Sequence, residues 1–538
     1  MIRKLYIDRP LKSSVVMSIL IGVHLSIIFL TSCGSKPVDP RTVVPADALV
    51  YLETSDLGKV IEAITSNPKF EQLAKTRPDT SALNGIKLSV ALTGFQTFEE
   101  PVSGESAVLN FRPRFVAVAE TNAWSYQTLS FAENKLGEFV NEIYGGEVEL
   151  VIINKHNGRY FTWTALDGRQ AFALVRGSLI LFGNDESAIE NCVNVMNGGA
   201  PNIAANPRIT ALNPNSLASG YVSKDGVAQI ANIAGVSLAI GAGEEAEAKS
   251  FIARVLPEIA RNSITEVTWT SARLDPGRIE DTFTIGIDPE TAAVLSETVT
   301  PGNGQAENMD RFIPTEFVST TRYNLNDARI AWRSLLLTAR TKTDNVSGGL
   351  LTAFSPALFA PYGIDDAETF LSAVGNTLQT VRFDAEGDEV AVVARIKDGE
   401  ALRRAIAKEL ILSKPPDKFE NADIWRSADG EMAAAIVGDE IVVGEAKSVE
   451  RCLTARDPGQ KPTDPVIANS SAPVVTYGRE TDPAARLIAT LSERKNENEP
   501  LTQTYTVESR FNQNGIERRT VSDFGLIGTI IERLDPQN

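Results

Sequence analysis

The sequence predicts an α+β protein built as a tandem duplication, with mixed, mainly antiparallel sheet modules packed against helices and a lipoprotein signal peptide in front. Three observations carry this. A strand–turn–strand–turn–strand–helix stretch is written twice, at Tyr160–Val195 and at Ile424–Leu453. Hairpin turn signals recur at Asp275-Pro276-Gly277 and Asn514-Gly515. Strands and helices alternate irregularly, with no regular strand–helix–strand run of the kind that makes a parallel sheet.

In each copy of the repeated stretch a Trp-bearing strand (Trp163, Trp425) enters an Asp-Gly turn, Asp167-Gly168 or Asp429-Gly430. An apolar strand, a Gly-containing turn, a second apolar strand and a Gly (Gly183, Gly444) follow. A short amphipathic helix with one Cys (Cys192, Cys452) closes the unit. Upstream, residues 45–54 read as a strand, with Asp56 capping a helix whose apolar residues are Leu57, Val60, Ile61 and Ile64. The stretch from Pro314 echoes this, and later the helices AENKLGEFVNEIYG and EALRRAIAKEL are expected. A smaller unit follows each larger one: Ser216–Val222 into an Asp225 helix, and Pro473–Tyr477 into an Asp482 helix, each continuing into a hairpin and a last helix. The boundaries expected are 1–32 signal peptide, 33–44 spacer, 45–200 module A, 213–299 module B, 313–456 module A′ and 471–534 module B′. The polar, turn-rich segment 300–312 divides the halves.

At 538 residues and 43% hydrophobic, the chain can bury more than one core. Its formal charge of −17 repels phosphate backbones, so no nucleic-acid partner is expected. There are two His, His24 and His156, and three Cys. His24 would leave with the signal, and one remaining His cannot build a multi-His metal site, so no metal and no cofactor are expected. His156 reads as a solvated hairpin residue.

Arg3, Lys4, Arg9 and Lys12 precede an apolar run ending in Leu30-Thr31-Ser32-Cys33-Gly34. An aliphatic residue, two small ones and Cys make a bacterial lipobox, in which the Cys is acylated and becomes the new N-terminus. The alternative is an uncleaved anchor, since the run is long enough to span a bilayer. Both place the body outside the cytoplasm and tether it to a membrane, through lipid on Cys33 in the first case. Gly34 in place of Asp favours the outer over the inner membrane.

Chemical motifs are sparse. Ser66-Asn67-Pro68-Lys69 has S-x-x-K spacing, but Pro68 breaks the helical turn that would bring Lys69 over Ser66. Gly241-Ala242-Gly243 and Gly302-Asn303-Gly304 read as turns. Asp185-Glu186, matched by Glu445, reads as helix capping. Cys192 and Cys452 read as small core residues, a disulfide between them being the alternative. Trp163 and Trp425 hold matching strand positions; they anchor the core or, if exposed on one sheet face, form a binding surface for peptide or glycan.

The stretches PADALVYLETSDLGKVIEAI, PRFVAVAETNAW, KLGEFVNEIYGG, RYFTWTALDGRQAFALV and LFGNDESAIENC resemble a family of bacterial envelope lipoproteins known only as a domain of unknown function. The resemblance covers about residues 45–295 and, more loosely, the second half. It implies export and lipid anchoring and brings no activity or functional residue with it. The expectation is a non-catalytic, lipid-anchored envelope protein that binds an envelope protein or glycan or serves as a scaffold. The rival is an extracytoplasmic hydrolase using carboxylates in a cleft between the halves.

Overall fold

The computed structural model describes residues 37–533 apart from 104–105, 242–245, 275–276, 303–308, 407, 411–413, 456–469, 481–482 and 496–501. Cys33, His24, the apolar run, Asp275, Pro276, Asp482 and the middle of the 300–312 segment lie outside the described residues. Within them, twenty strands form one open sheet in which every pairing is antiparallel. The α+β reading therefore stands as a helix-covered antiparallel sheet. No helix of the described residues is long and apolar enough to cross a membrane.

The first ten strands are β1 (Val50–Thr54), β2 (Lys87–Ser103), β3 (Ser106–Glu120), β4 (Glu149–Lys155) and β5 (Gly158–Thr164), then β6 (Gln170–Arg176), β7 (Leu179–Gly183), β8 (Ala218–Val222), β9 (Ile264–Leu274) and β10 (Arg278–Ile287). The second ten are β11 (Ser319–Asn324), β12 (Val374–Arg382), β13 (Val390–Ile396), β14 (Asp417–Phe419) and β15 (Ala422–Arg426), then β16 (Met432–Val437), β17 (Glu440–Glu445), β18 (Val474–Glu480), β19 (Gln503–Asn512) and β20 (Gly515–Ser522).

Followed from one edge, the pairings run 4-5-6-7-3-2-1-8-9-10 and continue 20-19-18-11-12-13-17-16-15-14. Each strand of the second run is the tenth after its counterpart in the first, so the order is a palindrome. Its centre is the β10–β20 ladder, where Thr282 faces Arg519. The sheet passes through the expected module boundaries without interruption, because β8 pairs with β1 and β18 with β11.

The helices interlock the halves. Helices Leu57–Thr65 and Pro68–Leu73, after β1, bury Val60, Ile61, Ile64, Phe70 and Leu73 against Leu487, Ile488, Leu491, Phe524 and Ile527 of the second half. Reciprocally, helix Ala328–Thr341, after β11, packs Ala328 and Ala331 with Ala292, Leu295 and Val299, which follow β10 in the first half. Each large apolar side chain so buried contributes about 1.5–3 kcal/mol. Five from each half in one cluster contribute on the order of 15–30 kcal/mol of gross burial free energy, set against the entropy of ordering the chain.

The segment read as a spacer, 33–44, needs correction. From Val38 onward it belongs to the body. The Val38 amide donates to Glu120 (3.1 Å), Arg41 donates to Glu53 (2.7 Å), and Val43 and Val44 are fully buried in the first-half core. Two adjacent β-branched residues among polar ones were the signal for packing.

Candidate functional site

Strands β5–β6–β7 and β15–β16–β17 place the residues singled out above in two similar settings. Each set of strands carries helices on both faces. On one face, helix Glu186–Met196 buries Ala188, Ile189, Cys192 and Val193 over Leu174 and Leu181. Helix Ala446–Thr454 likewise buries Val449, Cys452 and Leu453 over Ala435 and Val442. Asp185 caps the first helix, accepting from the Ala188 amide (3.2 Å), and Glu445 caps the second, accepting from the Ser448 amide (2.7 Å). Gly183 lies opposite Phe172 and Val116, Gly444 opposite Ala433 and Ala391. A methyl group on either would stand 2.4 Å from the Phe115 carbonyl oxygen or 2.2 Å from that of Val390. Neighbouring backbone requires glycine at both places, and at Gly444 a φ of 156° adds to that requirement.

Cys192 and Cys452 are free thiols, and burial pushes both up to about 12. They are not disulfide-bonded, and at neutral pH they remain protonated and unreactive.

The binding-surface reading of Trp163 and Trp425 is corrected. Trp163 is 1% exposed, stacked on Phe161 at 5.7 Å and edge-on to Phe182 at 6.4 Å. Trp425 is 8% exposed and lies with Ala434, Ile441 and Val443 in the second core. Both face the side opposite the Cys helices, where further helices cover the sheet, so neither ring is open to a ligand. Their match is also partial. Trp163 faces Ala171, one residue before the partner of Gly183, whereas Trp425 faces Ala434, one residue after the partner of Gly444. Relative to the two glycines they therefore differ by two residues, because the β5–β6 hairpin extends further. The Trp425 indole N–H donates to the Lys414 carbonyl (2.8 Å), while that of Trp163 meets no acceptor among the described residues.

His156 sits with Asn157 in the β4–β5 turn, both at positive φ (53° and 58°). That pair of left-handed residues is what a two-residue hairpin turn of matching twist requires. Its Nε2 bonds Glu190 at 2.9 Å, and Lys155 bridges to Glu190 (2.5 Å) and Glu186 (3.0 Å). Burial works to raise the Glu190 carboxyl, yet the hydrogen bonds from Lys155 and His156 outweigh it and hold the group below its ordinary range. An ionised, ion-paired Glu190 is an acceptor that pins the turn to the helix rather than a proton donor.

The S-x-x-K residues have separate engagements. Ser66 donates to the Glu62 carbonyl (2.6 Å), and Lys69 pairs with Asp523 at 2.7 Å. The acids at the joint between the halves are likewise supplied with donors. Asp523 accepts from Lys69 and the Thr504 amide, and Asp281 from the Trp269 indole (2.8 Å) and the Leu526 amide (2.7 Å). Burial pushes the Asp281 carboxyl up, against those hydrogen bonds. An open groove on the second half is lined by Lys397, Asp398, Gly399, Glu400, Arg403 and Arg404, all around the start of one helix whose cap is Asp398. Among the described residues no group of three or more His, Cys, Asp or Glu is placed to hold a metal ion.

Sequence reasoning overlooked one feature of the surface. Strand β4, at one edge of the sheet, exposes four consecutive aliphatic side chains, Leu150, Val151, Ile152 and Ile153. Their uninterrupted run in ELVIINK was the available signal, since a covered strand and an exposed edge read alike. No family model matches this chain, and neither a curated protein nor a solved structure matches it.

Proposed function

We propose that this chain is a non-catalytic, lipid-anchored protein of the bacterial cell envelope, held by acylated Cys33 and acting as a scaffold or partner-binding body outside the cytoplasm. The observation that carries the reading is the basic, apolar and Leu30-Thr31-Ser32-Cys33 succession. The position of the folded body agrees with it. Packing begins at Val38, so four residues, 34–37, separate the lipid-bearing position from the globule. At most about 3.5 Å per residue, that link holds the body within roughly 15–20 Å of the bilayer. Two or three acyl chains, at about 0.8 kcal/mol per buried CH2, make such an attachment stable.

We further infer that the body arose by tandem duplication. What supports this is the palindromic strand order, the shared Gly183/Gly444 and Cys192/Cys452 environments, and the reciprocal helix packing. Positions that agree between the halves are packing positions, whereas the polar groups around them differ. Divergence of that kind keeps a body while leaving no shared reacting group, which fits a scaffold.

Labelling cells with radioactive palmitate tests the anchor. The full chain incorporates label and fractionates with membranes; a Cys33→Ser chain does neither. Incorporation unchanged by the substitution refutes the reading.

A further inference from the structure

The two ends of the sheet are built differently. β14, at one end, has three residues, Asp417, Lys418 and Phe419, and pairs only with β15 among the described residues. Short, charged strands are how sheets protect an open edge. β4, at the other end, has seven residues, pairs only with β5 among the described residues, and bears charge only at its two ends, Glu149 and Lys155. Leu150, Val151, Ile152 and Ile153 are 38%, 48%, 37% and 48% exposed, so aliphatic surface shows on both faces of the strand. Its free side offers unpaired backbone donors and acceptors to another strand.

We propose that β4 is the dimerisation edge of this protein, pairing antiparallel with β4 of a second copy. The strand is self-complementary in that arrangement. With a two-fold axis through Ile152, Ile152 faces its own counterpart, Val151 faces Ile153, Leu150 faces Asn154, and Glu149 faces Lys155. This is the one antiparallel register that pairs all seven residues, and it closes an aliphatic centre between two Glu–Lys pairs. Glu149 has no ion-pair partner among the described residues, while Lys155 keeps a partly exposed ammonium beside Glu186 and Glu190. The overall negative charge of the chain opposes association, but beyond a Debye length of about 8 Å at physiological salt that repulsion is screened, whereas the cross-strand pairs are in contact. The occupant is thus a second copy rather than an unrelated peptide, since the charges of β4 are answered by β4 itself. Association is of the closed, isologous kind, with one sheet running through both molecules.

Cysteine crosslinking in intact cells making the full-length chain reads the register directly, wherever the Cys33→Ser background leaves the protein. Residues facing each other in an antiparallel pair have Cα atoms about 4.5–5.5 Å apart, within the reach of a disulfide. Ile152→Cys in a Cys33→Ser background gives a covalent dimer on mild oxidation. Leu150→Cys, displaced from its own counterpart by four residues or about 13 Å, does not. The background leaves only the buried Cys192 and Cys452, so crosslinking does not depend on whether Cys33 is acylated. Sedimentation of the otherwise unaltered detergent-solubilised chain shows a dimer whose dissociation constant rises at least tenfold in Ile152→Lys, with the unfolding temperature unchanged. A monomeric parent chain overturns the proposal. So does equal crosslinking at 150 and 152, or a crosslink from 152 to a different protein.

Discussion

Helix Glu186–Met196 and helix Ala446–Thr454 cover corresponding strands from the same side, each with one buried Cys, yet they are fastened to the sheet by different polar contacts. In the first half Glu190 takes Lys155 from the end of β4 and His156 from the hairpin turn; in the second, Glu450 takes Arg426 from the end of β15 (2.6 Å). Asp caps one helix and Glu the other. The difference teaches which contacts the fold depends on. Apolar packing and close backbone approach leave few substitutes, so glycine and small thiols stand at both places. A surface ion pair contributes roughly 0–1 kcal/mol, so its members exchange at little cost.

The sharpest way to break the comparison is at the glycines. Gly183→Ala and Gly444→Ala each push a methyl into a backbone carbonyl, which cannot rotate away as a side chain would. Each should lower stability in chemical denaturation by about 3 kcal/mol. A substitution tolerated at one site and not at the other would separate the two settings. A smaller effect sharpens the contrast between the tryptophans. Trp163→Phe and Trp425→Phe lose similar ring volume, but only the second abandons a bonded carbonyl, that of Lys414. Trp425→Phe should therefore be the more destabilising by about 1 kcal/mol.

The smallest effect is electrostatic. Glu190→Gln should cost at most about 0.5 kcal/mol at neutral pH, given the half-exposed partners. Because the folded carboxyl titrates below its ordinary 4.5, its contribution is complete above that value and fades as pH falls through the lower folded value. The parent chain and Glu190→Gln should thus converge in stability under acid conditions. A gap that persists there would mean the contact is not ionic.

Much of this architecture was legible in the sequence because its local signals agree with the final structure. Asp56, Asp185 and Glu445 sit at helix starts and cap them, and the hairpins around 264–287 and 503–522 form where alternation and turn residues placed them. Helix EALRRAIAKEL shortens to Gly399–Ala405, with Ile406 in an extended cap and isolated pairing to Ile364, a tertiary contact invisible to local periodicity. The strand order was not legible either, since a palindrome is fixed by partners more than two hundred residues apart, such as Thr282 and Arg519. For the site, burial was the missing quantity. Trp163 and Trp425 read first as core anchors and, if exposed, as a platform; the covering helices decide between the two. Conversely, the aliphatic run of β4 has the composition of a covered strand and lies open.

The central claim is that two like halves complete one another, each supplying the helices that cover the other. Co-production of 37–299 and 309–533 as separate chains measures it. Neither fragment alone should unfold cooperatively, because each loses the β10–β20 ladder and half of a shared core; mixed, they should form a one-to-one complex that does. Two fragments that each fold stably and ignore one another would contradict the account.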